Sequence, residues 1–331
     1  MKTSKLQPKM IYGGSDNMKR NVYVIGGANV DVQGFAHQDL VRFDSNPGTI
    51  TTSFGGVGRN IAENLARLHV PVTLISVVGE DAAGKALWEH AQACGIDTRF
   101  LLRLPHASTS HYLALMNANH EMELAISDMS ILDQLTLDQL RPMVKEIGPQ
   151  DYVVLDGNLS EETLQALVSM LPCRIVADPI SAHKAVRLQS CLSHLYAIKP
   201  NRYEAEVLVG FPLQGEADYH RAVDALLQAG VQQVWLTLGE EGVLLGTTNE
   251  RRRLTFTPTS VESATGAGDA FFAGALAALL HDGSLMDVGH YAITCAAFAL
   301  STSQTVNEAV TPAIIQAALQ NDSFRIKEVS L

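Results

Sequence analysis

The chain has 331 residues, 47% of them hydrophobic, enough to bury a large core without disulfides or a structural metal. Its formal charge of −11 argues against nucleic acid or an anionic membrane surface as a partner, since both are polyanionic. No run reaches the roughly 18 apolar residues that a membrane span needs. Cys94, Cys173, Cys191 and Cys295 are too scattered for a zinc or disulfide framework, so reduced thiols in a cytoplasmic protein are expected.

Residues 1–20 are polar and carry Gly and Pro; they read as a disordered leader. Residues 21–320 read as one α/β domain and 321–331 as a C-terminal tail. Short apolar runs recur at Val22–Ile25, Val72–Val78, Tyr152–Leu155, Arg174–Val176, Tyr196–Ile198 and Val234–Leu238. Between them lie helical patterns, with Val57, Ile61, Leu65 and Leu68 on one face, then Leu164, Leu167 and Leu171, then Ala222, Leu226 and Ala229. Uniformly apolar strands alternating with helices predict a mostly parallel central sheet flanked by helices on both faces.

Two segments break the rhythm. Residues 32–53 are polar and turn-rich, and within 107–127 a hairpin is expected, with strands His111–Met116 and Glu121–Ile126 and a turn at Asn117–His120. Both are placed in a small β lid over one end of the sheet. Alternation puts His111 and Tyr112 on opposite faces of the lid, so at most one of them faces inward. The triplet Arg251-Arg252-Arg253 reads as a solvated hairpin.

Ligands of an open α/β sheet sit outside the carboxyl ends of its strands. The polar residues expected there are Asn29, Asp31, Asp81, Asn158, Asp178, Asn201 and Glu204, with Gly239 and Gly242; Asp81 is expected simply to cap a helix. The sharpest signal is Ala264-Thr265-Gly266-Ala267-Gly268-Asp269, which runs straight into an apolar helix. Glycines let backbone N–H groups converge, and the helix start adds partial positive charge, so the turn forms an anion hole fit for a phosphoryl group in transfer. A carboxylate at Asp269 is then placed to take a proton from an attacking hydroxyl. The segment is not a Walker A loop, because no Lys-Ser/Thr follows at the required spacing. Earlier, Phe54-Gly55-Gly56-Val57-Gly58-Arg59-Asn60 opens a helix, with Asn60 offering a donor and an acceptor, and Asp31 can hold the vicinal hydroxyls of a sugar.

Together Gly55-Gly-x-Gly-x-Asn60 and Thr265-Gly-Ala-Gly-Asp269 resemble the paired signatures of the ribokinase-like (PfkB-type) carbohydrate kinase family. Gly26-Gly-Ala-Asn-Val-Asp31, Lys199-Pro-Asn201-x-x-Glu204 and Thr237-Leu-Gly239-x-x-Gly242 match further family motifs in order, over roughly residues 21–318. Within the family, Asp44-Ser-Asn-Pro-Gly48, Gly55-Gly-Val-Gly-Arg-Asn60, Ser127-Asp-Met129 and Asp178-Pro-Ile-Ser-Ala182 are similar to the kinases of pseudouridine. The resemblance implies a sheet of nine or so strands, a lid often used for homodimerisation, and transfer of the ATP γ-phosphoryl group to a sugar hydroxyl with Mg2+ as cofactor. It implies Asp269 as base, an anion hole at Gly266, Ala267 and Gly268, and an acceptor site at Asn29, Asp31, Gly55, Gly56 and Asn60, with the lid residues Asn46 and His111 as candidates to read the base. Asn201 and Glu204 would act around Mg-ATP, Glu204 indirectly on the metal, while Thr237, Gly239 and Gly242 line the nucleotide site. The acceptor is expected to be the 5′-hydroxyl of pseudouridine; the alternatives are another sugar or nucleoside (ribose, fructose, adenosine) or a non-catalytic ligand sensor. Ser263 stands where many family members carry an aspartate that helps bind a monovalent cation, and a hydroxyl is the weaker ligand, so the K+ requirement is left open.

Overall fold

The computed structural model describes residues 20–119 and 121–329. All but the last residue of the expected leader, and His120 of the expected hairpin turn, lie outside them. In chain order the strands are β1 (Val22–Ile25), β2 (Asn29–Ala36), β3 (Gly48–Gly55), β4 (Val72–Gly79), β5 (Leu101–Leu104), β6 (His111–Met116), β7 (Met122–Asp128), β8 (Tyr152–Asp156), β9 (Arg174–Asp178), β10 (Ala197–Ile198), β11 (Gln233–Thr237), β12 (Val243–Thr247), β13 (Arg251–Thr255) and β14 (Lys327–Val329).

Ten of them form the central sheet, in the order β14-β13-β12-β11-β10-β9-β8-β1-β4-β5. Pairing is parallel from β5 across to β11 and antiparallel from β11 to β14. The parallel strands are apolar on both sides because both faces are covered. Val22 and Val24 enter one core with the helices Val57–Arg67, Ala267–Leu280 and Leu285–Leu300, while Tyr23 and Ile25 enter the other with Glu161–Met170 and Glu216–Gln228. Ile61, Leu65 and Leu68 are fully buried, as the helical spacing predicts. Ala229, the third member of an expected helical face, is instead the exposed C-cap of Glu216–Gln228, and Leu227 packs in its place.

Two expectations need correction. The tail from residue 321 does not stay apart, because β14 pairs with β13 and becomes the edge strand of the sheet. The arginine triplet lies in a hairpin, β13 pairing antiparallel with β12 as expected, but it is not solvated throughout: Arg253 is buried, donating to the carbonyls of Glu241 and Val243 and pairing with Glu216 at 3.1 Å. The sheet holds ten strands, in keeping with the nine or so expected, and the tail supplies one of them.

The other four strands form the lid, ordered β3-β2-β6-β7. No helix among the described residues is long and apolar enough to cross a membrane. The apolar run 270–280 is a helix buried on every side inside the protein. Strand order reverses around β1, which has β4 on one side and β8 on the other, and the chain leaves its carboxyl end for the lid. That crevice is where such sheets bind ligands.

Candidate active site

The helix Ala267–Leu280 starts at Gly266, whose φ of 81° is left-handed. A Cβ at this position would lie 1.8 Å from the Thr305 carbonyl oxygen, so the turn sits flush on the 301–311 loop and only glycine fits. The amide of Ala267 reaches the Ala264 carbonyl at a long 3.4 Å, and those of Gly268 and Asp269 find no acceptor among the described residues. Unpaired first-turn amides at the positive end of a helix make an anion site.

Asp269 stands in that turn, half-buried, and its Oδ2 accepts from Asn60 Nδ2 at 2.8 Å. Burial pushes its pKa up to about 7, with the charge of Asp178 adding to the rise; the Asn60 hydrogen bond, Lys199 and Arg59 oppose it. A carboxyl poised near neutrality is suited to exchange a proton with an alcohol.

Asn60 is carried by the helix Val57–Arg67, whose N-cap Gly56 has φ 94°; a Cβ there would meet the Gly27 carbonyl oxygen at 2.5 Å. The turns at Gly27 and Gly58 are both pinned by Asp156, fully buried at the end of β8. It accepts from the amides of Gly27 (2.7 Å), Gly58 (3.0 Å) and Asn158 (3.0 Å), and from Asn158 Nδ2 at 3.1 Å. Burial raises its pKa against these donors. Lys184 donates to Asn158 Oδ1 at 2.5 Å, so it is a member of this network rather than a solvated lysine.

Asp31 lies beside Gly55, where a Cβ would be 2.1 Å from its Oδ2, and Asn29 Nδ2 donates to its Oδ1 at 2.5 Å. Burial raises its pKa, against the Asn29 hydrogen bond and the charge of Arg59. Asn29, Asp31, Gly55, Gly56, Asn60 and Asp269 thus come together. On the far side Lys199 pairs with Asp178 at 3.2 Å, both buried. Burial alone would lower the Lys199 pKa, but Asp178, Glu204 and Asp269 together raise it. Burial pushes Glu204 up to about 7 despite Lys199. Three carboxyl groups thus face one ammonium, which holds the far side of the site. Asn201 and Glu204 also form the capping box of the helix Arg202–Val209, each side chain accepting from the other's amide, at 2.9 and 2.8 Å. Thr237 ends β11 with its amide on the Pro200 carbonyl (2.9 Å), followed by the left-handed Gly239 and Gly242.

Two expected residues are not brought in. Asn46 spends its side chain inside its own loop, accepting from the Val41 amide at 2.7 Å and donating to the carbonyls of Val41 (3.0 Å) and Asp44 (3.1 Å). His111 pairs in register with Val30, and its ring bonds to the Thr109 carbonyl at 2.7 Å; Tyr112 pairs with Asp31 and so shares the Asp31 face. Asp81 caps its helix through the Gly84 amide, as expected. Sequence reasoning missed Asp156, Lys199 and Arg59 as members of the site; Asp156 carried the strand-end signal that flagged Asp178 and Asn158. Glu63, His90 and Cys94 bring ligand-type atoms within 4.8 Å of one another, but both Glu63 oxygens already serve Arg59 and Arg67.

Residues 19–312 match the pfkB family of carbohydrate kinases. The chain belongs to that family, phosphotransferases whose acceptor is an alcohol group. It is 35% identical to the pseudouridine kinase of Escherichia coli K12 over 305 residues, 92% of this chain and 97% of that one. It is 37% identical to YeiI of the same strain, an uncharacterized sugar kinase, over 86% of this chain and 79% of that one. The structure of Arabidopsis thaliana ribokinase, complexed with ribose and ATP, superposes with a TM-score of 0.80 at 21% identity, covering 91% of this chain and 99% of that one; the fold is ribokinase-like.

Proposed function

We propose that the chain transfers the γ-phosphoryl group of ATP to the 5′-hydroxyl of pseudouridine, giving pseudouridine 5′-phosphate and ADP, with Asp269 as general base. The observation that carries the reading is the Asp269 carboxyl, bonded to Asn60 at 2.8 Å, in the same helical turn as unpaired amides. The likeness to a pseudouridine kinase over nearly the whole chain supports the choice of acceptor.

Asp269 takes the proton of the 5′-hydroxyl as the new O–P bond forms and the bond to ADP breaks. The turn Gly266, Ala267 and Gly268 steadies charge on the migrating phosphorus. Asn29, Asp31, Gly55, Gly56 and Asn60 hold the ribose, and Tyr112, rather than His111, is the lid residue on the acceptor side. Thr237, Gly239 and Gly242 line the ATP site. Magnesium, when bound with ATP, neutralises phosphate charge, and Glu204 would hold it through water beside Asn201. Ser263 is engaged by the Thr265 amide at 3.1 Å, and no K+ requirement is assigned. The protein works in the cytoplasm as a homodimer joined through the lid.

An ATP-consumption assay across ribose, fructose, adenosine, uridine and pseudouridine tests the proposal. Pseudouridine is expected to be turned over best. Equal turnover of ribose and pseudouridine defeats the nucleoside assignment and favours a sugar kinase, the second reading, which the likeness to YeiI supports. Turnover of none of the five would leave a ligand sensor on a kinase fold.

A further inference from the structure

We propose that Arg59 is a positioning residue for Asp269: its guanidinium fixes the Asn60 amide with nitrogen toward the base and sets a buried positive charge behind it. An amide has two ends of nearly equal shape, one a donor and one an acceptor. Asp269 needs the donor end. Arg59 has only donors, and its Nη2 takes Asn60 Oδ1 at 2.5 Å, which leaves Nδ2 facing Asp269 at 2.8 Å.

Arg59 is itself held at both terminal nitrogens. The same Nη2 reaches the Phe54 carbonyl at 2.8 Å, and Nη1 pairs with Glu63 Oε2 at 2.5 Å. Glu63 Oε1 is gripped by Arg67 at 2.7 and 2.9 Å, and Arg67 is tied to the Glu308 carbonyl at 2.9 Å. Arg59 and Glu63 are 2% and 1% exposed, so the pair forfeits its hydration. Buried ion pairs are poor stabilisers compared with apolar residues of the same volume, which leaves orientation and charge as what this one supplies. Lysine lacks the planar fork that serves Phe54, Asn60 and Glu63 at once.

The groups that bear on Asp269 are Arg59 and Asn60 from the helix Val57–Arg67, Asp178 from the end of β9, and Lys199 beyond β10. Behind Arg59 stand Glu63, Arg67 and His90. Removing Arg59 takes away one of two cations and releases Asn60 to turn over, so the repulsion from Asp178 weighs more. The proton is then held more tightly, and the base is lost on the acid side of neutrality while surviving at alkaline pH.

The test uses the Arg59→Met/Glu63→Gln pair, which removes both buried charges together and leaves Arg67 beside Glu308 at 3.9 Å, and Arg59→Lys, which keeps the charge but not the fork. Protein carrying 13C at aspartate Cγ reports the Asp269 titration, assigned by the signal missing from Asp269→Asn. The midpoint is expected to move to higher pH in the double variant and by a smaller amount in Arg59→Lys. In single-turnover phosphorylation the double variant should lose ~10-fold in rate at pH 6 and stay within ~3-fold of the parent at pH 9. An unmoved midpoint, or an equal loss of rate at every pH, overturns the proposal. If the double variant does not fold, Arg59→Lys decides alone. The kinetic consequence rests on the kinase reading. The titration needs no substrate, so a protein that phosphorylates nothing yet shows the shift would sink that reading and leave this inference standing.

Discussion

Asn60 and Asp269 are 209 positions apart in the chain and 2.8 Å apart in space, so one hydrogen bond joins the two glycine turns that define the site. The sugar-side turn and the phosphate-side turn are therefore not independent modules. Asparagine at 269 would keep an oxygen to accept from Asn60 and nearly the same shape, while losing the capacity to take a proton. Asp269→Asn is expected to fold like the parent and to lose at least ~10²-fold in kcat with little change in KM. Phosphorylation persisting near the parent rate would remove Asp269 from the base role.

Two glycines that look alike in sequence should respond differently to alanine. Gly266 combines φ 81° with a backbone carbonyl 1.8 Å from the built Cβ, so the strain cannot be relieved by moving a side chain. Gly266→Ala should lower the melting temperature and drop kcat by ~10²-fold or more, because the anion hole must open to admit the methyl. Gly239 has φ 60° but nothing within 4 Å, so Gly239→Ala should cost only the conformational term, about 1 kcal/mol. Equal damage at the two sites would show that crowding by the Thr305 loop is not what matters at Gly266.

Much of this was legible from residue order alone. The apolar runs of β1, β4, β8, β9 and β11 and the Gly-rich turn before Asp269 announced themselves, because burial on both faces and close backbone approach each leave a compositional mark. What stayed hidden were contacts whose partners are distant in the chain. Nothing near Asp156 signals that the amides of Gly27 and Gly58 will converge on it, and Arg59 reads as a surface residue until Glu63 and Asn60 are seen to enclose it. The face taken by His111 stayed hidden for a different reason. Alternation separates His111 from Tyr112, but only the register of β6 against β2 decides which of them joins Asp31.

The raised carboxyls make the ligand-free protein sensitive to alkali. Asp269 and Glu204 titrate at about 7 when folded, against ordinary values of 3.8 and 4.5. Between roughly pH 4 and pH 7 the native state therefore binds more protons than the unfolded chain, and stability falls as pH rises through that window. Their contribution is fully present below pH 4 and gone above about pH 8. Thermal melting should show Asp269→Asn more stable than the parent at pH 8, by about 1–3 °C, with the difference vanishing toward pH 4. A variant less stable than the parent at pH 8 would contradict the assigned direction.

The lid presents two unlike faces, and the proposed dimer would use the outer one. Asp31, Ser53 and Tyr112 line one side by register. On the other, Ile50, Gly34, Leu115 and Leu124 form one cross-strand row, and Val32, Leu113 and Ile126 run alongside. Ile50, Leu113, Leu115, Leu124 and Ile126 are all exposed in the single chain, an apolar sheet face of the kind that marks an interaction surface. Leu124→Lys/Ile126→Lys should convert a dimer into a monomer in sedimentation equilibrium. Because the opposite face holds Asp31, a lid freed from its partner should bind the acceptor less well, raising KM by ~10-fold with a smaller effect on kcat. A parent protein that sediments as a monomer at micromolar concentration would exclude the lid-to-lid dimer, and a monomeric variant with unchanged KM would uncouple assembly from acceptor binding.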